Sequence, residues 1–345
     1  MHSPPESTTQ TIGAPLGGSP VRGASSDPGT FSRTETVIHA DVLSGLVKTL
    51  RPHQWVKNLF VLAPIVFSKD VLLHTSQGPA LNLLVTGRVL AATGVFCMLA
   101  GAVYTMNDLA DVAADRAHPV KRDRPIASGL VPEGIARGVA AALVVASLAA
   151  AYFIAPAFAL VALVYFAENV AYSTRLKRVA FLDVALLSFG FVLRVLGGGI
   201  AADVRVSGYM IACTALLALF LGFGKRRHEV SLESAAKHRA ALDVYTPRSL
   251  NVALAVTGFA TLATYVAYTL DPATRAFFNS NHLWLTTPFT AYGIFRFLKL
   301  VRGQAGRGLK AESPTQEMLR DVPFVLNLVL WIAVVIAVVY HLRPN

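Results

Sequence analysis

Long apolar stretches, separated by short polar segments, follow one another along the chain from about residue 56 to its end. Nine of them approach the roughly 20 residues that a helix needs to cross the hydrocarbon core of a bilayer. They cover approximately 56–73, 83–106, 133–154, 156–173, 179–201, 207–223, 250–270, 283–301 and 322–341. Pro64 interrupts the first stretch, and the short turn at Ala155–Pro156 predicts a helical hairpin. The pattern predicts an all-α polytopic membrane protein with about nine transmembrane helices.

The first 35 residues differ in kind from the rest of the chain. Pro, Gly, Ser and Thr supply 21 of these positions, and large apolar residues are rare among them. Such a segment buries too little apolar surface to offset the entropy that it loses on ordering. It also lacks the apolar core that defines a secretory signal peptide. We expect residues 1–41 to form a disordered N-terminal tail and residues 42–345 to form the transmembrane domain that carries the candidate chemistry.

The composition excludes an ordinary soluble protein. Hydrophobic residues make up 54% of the chain and charged residues 15%, and the mean hydropathy is +0.52. Soluble domains carry about 25% charged residues, so this chain has too little charge to cover a water-facing surface. Cys97 and Cys213 both lie inside apolar stretches, which argues against a disulfide framework and against a zinc site.

The charge of the chain is positive and unevenly distributed. The 31 Lys and Arg residues exceed the 20 Asp and Glu residues by 11. One set of helix ends holds 22 of these 31 basic residues, which is typical of cytoplasmic loops. We therefore expect a multi-pass protein of the cell membrane, with its N-terminus in the cytoplasm and its C-terminus outside. Basic loops beside a bilayer favour anionic membrane lipids over nucleic acid as partners.

Three carboxylates close the second predicted helix, and they are Asp108, Asp111 and Asp115. At about 100° per residue they fall within an arc of about 60°, and Tyr104 shares this face, with Asn107 beside it. Stacked carboxylates repel one another unless a cation lies between them, and oxygen ligands favour Mg²⁺ or Mn²⁺. The pattern indicates a metal site. The alternative is a solvated helix end whose acids pair with Arg116 and Lys121.

A basic loop from His118 to Gly129 comes directly after these acids. Its two prolines and its glycine exclude a continuous helix. Lys121 and Arg124 are suited to bind the phosphate oxygens of a substrate whose metal the neighbouring carboxylates hold. The alternative is the ordinary positive charge of a cytoplasmic loop without any contact to a substrate.

Further polar residues accumulate around the fourth, fifth and sixth predicted helices. Asp183 and Arg194 are eleven residues apart, which places them on one helix face. Ionisable residues at membrane depth usually face a polar cavity, so Arg194 and Glu168 are candidate site residues, unless they merely pair with each other. The other candidates in these segments are Asn169, Tyr172, Lys177 and Lys225. The basic segment 224–229 is equally compatible with a membrane anchor.

Several of these segments resemble a known family. The run Asn107-Asp108-x-x-Asp111-x-x-x-Asp115, at a helix end of an all-helical membrane chain, resembles the UbiA-type prenyltransferase superfamily. Five further segments resemble one branch of it, the decaprenyl-phosphate phosphoribosyltransferases. They are Arg51–Asn58, His118–Gly129, Tyr172–Asp183, Gly190–Arg194 and Gly224–Glu229. The resemblance covers about residues 48–341.

The resemblance implies a UbiA-type bundle with a cytoplasmic-facing active site. It implies transfer of the 5-phosphoribosyl group of phosphoribosyl pyrophosphate (PRPP) to a polyprenyl phosphate, giving diphosphate and polyprenyl-phosphoryl-5-phosphoribose. By this resemblance Mg²⁺, or Mn²⁺, is held by Asp108, Asp111 and Asp115, which act in catalysis together with Asp183. The implied substrate-binding residues are Lys57, Tyr104, Asn107, Lys121, Arg124, Asn169, Tyr172, Lys177, Arg194 and Lys225. No role is carried over onto Glu168.

Three alternatives to this interpretation stay open. The first is a UbiA-type enzyme that moves a prenyl group from a prenyl diphosphate to an aromatic acceptor. Such enzymes often carry a second Asp-rich motif, whereas Asp183 stands alone here. A transporter or channel is the second, although it would place polar residues at the membrane midplane and not at one face. An inactive assembly partner is the third, and the three carboxylates argue against it. A homo-oligomer is compatible with every one of these interpretations.

Overall fold

The computed structural model describes residues 41–68, 71–75, 78–231, 244–303, 318 and 320–341. The chain divides into two units, Met1–Leu43 and Ser44–Asn345, and the second unit contains the long apolar helices. The predicted N-terminal tail lies almost entirely outside the described residues, so its disorder stays a prediction.

Helices make up nearly all of the described chain. In order they are α1 Ala63–Ser68, α2 Leu83–Ala110, α3 Val112–Ala117, α4 Glu133–Ile154, α5 Pro156–Thr174, α6 Leu182–Ala202, α7 Gly208–Ser231, α8 Pro247–Leu270, α9 Pro272–Phe278, α10 Thr287–Gly303 and α11 Val322–Ile336. Within the described ranges, seven helices are long and apolar enough to cross a bilayer, namely α2, α4 to α8 and α11 with its π-helical extension Ala337–His341. Large apolar side chains such as Phe153 and Phe259 are 86% and 75% exposed on outer faces, as in a bundle that is solvated by lipid. The prediction of an all-α polytopic membrane protein is confirmed.

Two of the nine predicted spans are interrupted in the structure. The stretch 56–73 contains a 3₁₀ helix, Pro52–Leu62, then α1, and it ends in an antiparallel hairpin of β1 Leu72–Thr75 and β2 Gly78–Leu81. The helix type changes at α1 because Pro64 has no N–H to donate and is tolerated only in the first turn of a new helix. The stretch 283–301 begins as a 3₁₀ turn, Leu283–Thr286, before α10, which has 17 residues. The count of nine crossings therefore stays a prediction.

The first core joins α2, α5 and α6 to the 3₁₀ helix Pro52–Leu62. Phe96 packs edge-on against Phe158 and Tyr165, with ring centroids 5.8 and 5.0 Å apart. A Cβ atom added at Gly198 of α6 would lie 2.0 Å from the carbonyl oxygen of Val61. Only glycine therefore lets the two backbones approach this closely. This approach places the polar residues of the 3₁₀ helix beside those of α6.

The second core joins α6, α7, α8 and α10. It is formed by the buried side chains of Val184, Phe220, Leu250, Leu254 and Phe297. These contacts fix the end of α7, with its basic residues, against the beginning of α6. The hairpin predicted at Ala155–Pro156 is confirmed, because α4 ends at Ile154 and α5 begins at Pro156.

Candidate active site

Two buried carboxylates and two arginines form an ion-pair cluster near the end of α2. The Nη2 atom of Arg51 lies 2.6 Å from Asp108 Oδ1, and Arg124 Nη1 lies 3.1 Å from the same oxygen. The same nitrogen of Arg124 lies 2.7 Å from Asp115 Oδ2. The side chains of Asp108 and Asp115 are only 5% and 4% exposed. Their negative charges therefore need partners, because an unpaired buried ion is strongly destabilising.

Arg51 connects this cluster to Tyr104. Its guanidinium carbon lies 5.0 Å from the centroid of the Tyr104 ring, while its Nη2 atom contacts Asp108. Tyr104 and Asp108 thus lie on the same side of α2, as the helical spacing predicts. The backbone of Arg51 has φ 52°, in the left-handed region. This conformation is higher in energy for residues with a side chain than for glycine. Such a conformation persists where surrounding contacts require it, and here it directs the guanidinium toward Asp108.

The helix predicted to carry all three acids is interrupted at Asp111. The α2 helix ends at Ala110, Asp111 caps it with φ −94° and ψ 3°, and α3 begins at Val112. Asp111 is exposed as a result, whereas Asp108 and Asp115 are buried. Among the described residues, no three His, Cys, Asp or Glu side chains lie close enough to hold one metal ion. The assignment of Asp111 as a metal ligand stays a prediction.

Asp108 and Asp115 nevertheless fit a divalent cation that is shared with a substrate. Both carboxylates contact one guanidinium nitrogen of Arg124. The two negative charges therefore stabilise a positive charge that lies between them. Mg²⁺ is commonly bound by one or two carboxylates, while waters and substrate phosphates supply its remaining oxygens. Two acids therefore suffice for such a site, and a complete cage of protein ligands is not needed.

The loop after α3 is held by its own backbone and by the start of α4. Arg116 donates from Nε to the carbonyl oxygen of Ala127 and from Nη2 to Glu133, each at 3.1 Å. The Nδ1 atom of His118 accepts from the backbone N–H of Val120 and of Lys121. This segment is not a continuous helix, as its prolines and its glycine predict.

The loop presents its two candidate bases differently. Arg124 is turned toward Asp108 and Asp115, whereas the side chain of Lys121 is exposed. Gly129, with φ 83°, takes the left-handed conformation that lets the chain turn back toward α4. Because Arg124 and Arg51 neutralise the buried acids, the alternative of a helix end paired with Arg116 and Lys121 does not match the contacts.

Arg194 is buried inside α6, where the sequence placed it. It donates from Nε to Asn58 Oδ1 at 2.7 Å, from Nη1 to the carbonyl oxygen of Gly190 at 2.8 Å and from Nη2 to Tyr165 Oη at 2.8 Å. Its guanidinium also lies 4.7 Å from the centroid of the Tyr165 ring. In the described structure these bonds use three of the five N–H groups of an arginine, which leaves two to bind an anion.

Asp183 is fully buried at the first turn of α6. Tyr245 donates a 2.7 Å hydrogen bond to its Oδ1 atom, and Arg226 Nε lies 2.6 Å from Oδ2 as an ion pair. Burial and the bond to Asp183 raise the pKa of Tyr245 above its usual range, so the phenol stays protonated and remains a donor. Arg226 is itself fully buried and also contacts Glu229 and Tyr172. This network, Asp183–Arg226–Tyr245, joins α6, α7 and the residues before α8.

The remaining candidates lie along α5 and just beyond it. Asn169 donates to Glu168 Oε2 and to the carbonyl oxygen of Tyr165, each at 2.9 Å. Tyr172 accepts from Arg226 one turn later. Lys177 lies half buried in the 3₁₀ turn Leu176–Arg178, between α5 and α6.

An apolar cavity of about 500 Å³ lies between the 3₁₀ helix Pro52–Leu62 and the helices α6, α7, α8, α10 and α11. Aromatic and aliphatic side chains form most of its wall, and Lys57 and Lys225 contribute the charged groups. Tyr209 also lines the cavity, and it is sixteen residues from Lys225 on α7, a separation of about 24 Å along a helix. Lys57 lies within electrostatic range of Lys225, Arg194 and Arg51. The cavity therefore has a basic end next to the ion-pair cluster and a long apolar body.

Sequence reasoning missed five residues of this site as candidates, namely Arg51, Asn58, Tyr165, Arg226 and Tyr245. Of these, only Arg51, Asn58 and Arg226 lie in segments that carry the family resemblance. Tyr165 and Tyr245 gave no signal, because an aromatic residue in or beside an apolar helix usually packs in the core. Both matter through a single hydroxyl whose partner is far away in sequence, 29 and 62 residues respectively.

The chain is similar to known proteins over most of its length. Residues 61–311 match the UbiA prenyltransferase family. The chain is 34% identical over 313 residues to the decaprenyl-phosphate phosphoribosyltransferase of Mycolicibacterium smegmatis, covering 87% of this chain and 94% of that protein. It is 36% identical over 304 residues to the protein of the same name from Mycobacterium tuberculosis, covering 87% and 96%.

A solved structure has the same fold. It is a UbiA homolog from Archaeoglobus fulgidus bound to DMAPP and Mg²⁺, with a TM-score of 0.62 and 18% identity over 86% of this chain and 99% of that one. The all-helical architecture, the carboxylate cluster at the end of α2 and the family match over most of the chain lead to one conclusion. The chain belongs to the UbiA prenyltransferase family.

Proposed function

We propose that this protein transfers the 5-phosphoribosyl group of PRPP to a polyprenyl phosphate and releases diphosphate. The observation that carries the proposal is the cavity whose apolar body ends at Lys57 and Lys225, next to the Asp108–Arg51–Arg124–Asp115 cluster. A lipid phosphate needs an apolar channel with positive charge at one end. A diphosphate needs a metal and arginines. The relatives named decaprenyl-phosphate phosphoribosyltransferase support both assignments.

The acceptor has an oxygen that needs no strong base. A phosphate monoester loses its second proton at about pH 6, so the lipid phosphate is largely a dianion near neutral pH. Lys57 and Lys225 hold this phosphate at the basic end of the cavity, and the isoprenoid chain occupies the apolar body. A phosphate oxygen then forms a bond to C1 of the ribose as the bond from C1 to the diphosphate breaks.

The donor diphosphate is bound by the cluster at the end of α2. Arg51 and Arg124 donate to the diphosphate oxygens. Asp108 and Asp115 would hold Mg²⁺, or Mn²⁺ in its place. When bound, the ion supplies a Lewis acid that stabilises the charge on the departing diphosphate. Arg194 offers two N–H groups between the two substrates and offsets the repulsion of their phosphates. Alignment of the two anions accounts for much of the expected rate enhancement.

The other candidates take supporting roles in this proposal. Lys177, half buried in the turn between α5 and α6, and Lys121, exposed in the loop after α3, bind the 5-phosphate of PRPP in this proposal. Asp183, fully buried and paired with Arg226, orients the end of α7 and with it Lys225. Asn107, Asn169 and Tyr172 contact the substrates in this proposal. The site faces the cytoplasm of a cell-membrane protein, where PRPP is available, and the basic loops contact anionic lipids.

A competition experiment tests the identity of the donor. If PRPP is the donor, ribose 5-phosphate and PRPP should compete for the site, and Lys177→Ala should raise the KM for PRPP. The principal alternative is a prenyl diphosphate donor, as suggested by the DMAPP that accompanies the structural neighbour. In that case PRPP should bind no better than inorganic diphosphate, and ribose 5-phosphate should not compete. Arg178→Ala, an exposed neighbour in the same turn, is the matched control.

A further inference from the structure

The inward face of α5 carries a carboxylate between two arginine clusters. Tyr165 accepts from Arg194 at 2.8 Å, and Tyr172 accepts from Arg226 at 3.3 Å. These tyrosines are seven residues apart, two helical turns, and Glu168 lies between them on the same helix. Glu168 thus lies between these two contacts along α5, and Arg194 is within electrostatic range of it. No function assigned so far requires a carboxylate there.

A gap in α6 lies next to this carboxylate. Gly190 is buried, and it lies four residues before Arg194 and seven after Asp183, so the three share one face of α6. A Cβ atom at Gly190 would lie 3.5 Å from Arg194 Nη1, 3.6 Å from Glu168 Oε2 and 3.9 Å from the ring of Tyr165. The absent side chain therefore leaves a position that a carboxylate and a guanidinium both contact.

The charges around this gap restrict what Glu168 is able to bind. Arg51, Arg194 and Lys225 lie within electrostatic range of Lys57, and all four attract anions. The carboxylate of Glu168, near Arg194, repels any phosphate that comes close to it. In its ionised form the carboxylate accepts hydrogen bonds only, and Asn169 supplies one of the about four that it is able to accept. The ligand group that fits Glu168 is an uncharged hydroxyl that donates a hydrogen bond, in a ligand that carries phosphate groups on both sides of it. In a phosphoribosyl donor, the ribose hydroxyls are such groups, and carboxylates bind ribose hydroxyls in this way.

We propose that Glu168 accepts hydrogen bonds from the ribose hydroxyls of PRPP, and that Gly190, which has no side chain, lets the sugar approach Glu168 and Arg194. Glu168 is then a specificity-determining residue that distinguishes a ribosyl donor from a prenyl diphosphate or a deoxyribosyl donor. The assignment rests on the proposed function. It gives a function to a carboxylate that lies within a membrane-spanning helix, inside a site that binds anions.

The ratio of kcat/KM for PRPP to that for its 2-deoxyribose analogue tests the role of Glu168. Hydrogen bonds to charged groups correspond to roughly tenfold to hundredfold in this ratio. Glu168→Gln and Glu168→Ala should therefore lower the ratio by about tenfold or more relative to the wild type. Both donors are assayed with the same preparation of each variant, so the fraction of folded enzyme cancels in the ratio of the two kcat/KM values.

Gly190→Ala tests the gap without removing the carboxylate. The nearest atoms to the added methyl would be 3.5 Å away, an ordinary contact, so the variant should fold. It should raise the KM for PRPP severalfold, while inhibition by inorganic diphosphate stays unchanged. The matched control is Gly138→Ala in α4, where an added Cβ meets nothing within 4 Å and the KM should not change.

Two results would overturn the assignment. One is a donor ratio that stays at the wild-type value in both Glu168 variants. The other is a KM for PRPP that is the same in Gly190→Ala and in Gly138→Ala. This second result decides the question when the Glu168 variants are inactive. Either result, with a wild type that turns over PRPP, removes only the role of Glu168. A wild type that does not use PRPP at all would instead remove the proposed function, and the ribose assignment with it.

Discussion

At the scale of single residues, one nitrogen atom defines the centre of the site. Arg124 Nη1 contacts Asp108 and Asp115 at 3.1 and 2.7 Å, and both acids are almost fully buried. Such an arrangement is stable only while positive charge lies between the carboxylates. Charge neutralisation at these two acids is therefore the property that a substitution should disturb most.

Asp108→Asn and Asp115→Asn should each lower kcat/KM by a hundredfold or more, about 3 kcal/mol, since each removes a charge that the transition state needs. Asp111→Asn should cost less, because Asp111 is exposed where α2 ends. Steady-state kinetics at several Mg²⁺ concentrations measure both effects. Asp123→Asn is the control, because the side chain of Asp123 is 81% exposed and its ion-pair contact with Arg122 is long, at 3.9 Å. Equal turnover in Asp108→Asn and Asp123→Asn would remove the metal assignment.

At the scale of elements, the sequence predicts the long helices well and their interruptions poorly. Seven of nine predicted spans coincide with helices because apolar length alone determines them. The break at Asp111 and the 3₁₀ helix Pro52–Leu62 depend on contacts with residues that are distant in sequence. The local sequence pattern does not predict such contacts. The same holds for the site. Spacing places Tyr104 and Asp108 together, but the tertiary fold supplies Arg51, Tyr165 and Tyr245.

The close approach of α6 to the 3₁₀ helix makes Gly198 a sensitive position. Gly198→Ala would place a methyl 2.0 Å from the Val61 carbonyl oxygen, which the backbone must move to avoid. Such overpacking should cost ~3 kcal/mol and lower the Tm by several degrees. Gly94→Ala in α2 is the matched control, because nothing lies within 4 Å of its added Cβ. Equal thermal unfolding of the two variants in the same detergent would contradict this packing.

Arg296 and Asp321 connect α10 to the start of α11. Asp321 accepts from Arg296 Nε and Nη2 at 2.9 and 2.7 Å, and it caps α11 by accepting from the Phe324 N–H. The hydrogen bonds from Arg296 hold the pKa of Asp321 below its usual range. Because the folded-state pKa is depressed, this stabilisation is present above the unfolded value, about pH 4, and is lost as the pH falls through the folded value.

Asp321→Asn keeps a helix-capping side chain but removes the charge. It should lower the Tm at neutral pH, and the difference from the wild type should shrink as the pH falls below about 4. Thermal unfolding across this pH range measures both. A difference that stays constant with pH would mean that the ion pair contributes nothing to stability.

At the scale of the whole molecule, the orientation follows from the distribution of charge. Five candidate spans, α4 to α8, separate the exposed residues Ser128 and Asn281. Because this number is odd, the two residues should lie on opposite sides of the membrane. The basic residues around Ser128 favour the cytoplasmic side for it.

Single cysteines at Ser128 and Asn281, in a variant without Cys97 and Cys213, test this orientation. A membrane-impermeant thiol reagent should label the cysteine at 281 in intact cells, and it should label the cysteine at 128 only after the membrane is opened. Labelling of the cysteine at 128 in intact cells would reverse the orientation and remove the access of cytoplasmic PRPP.

The central claim concerns which two substrates meet in the site, and product formation tests it directly. Purified protein is incubated with PRPP labelled in the ribose, a polyprenyl phosphate and Mg²⁺, and the lipid fraction is analysed together with released diphosphate. The account predicts a labelled lipid and diphosphate in equal amounts, both abolished by EDTA and strongly reduced in Lys57→Ala. A protein that makes no labelled lipid, but moves a prenyl group from a prenyl diphosphate to an aromatic acceptor, would contradict it.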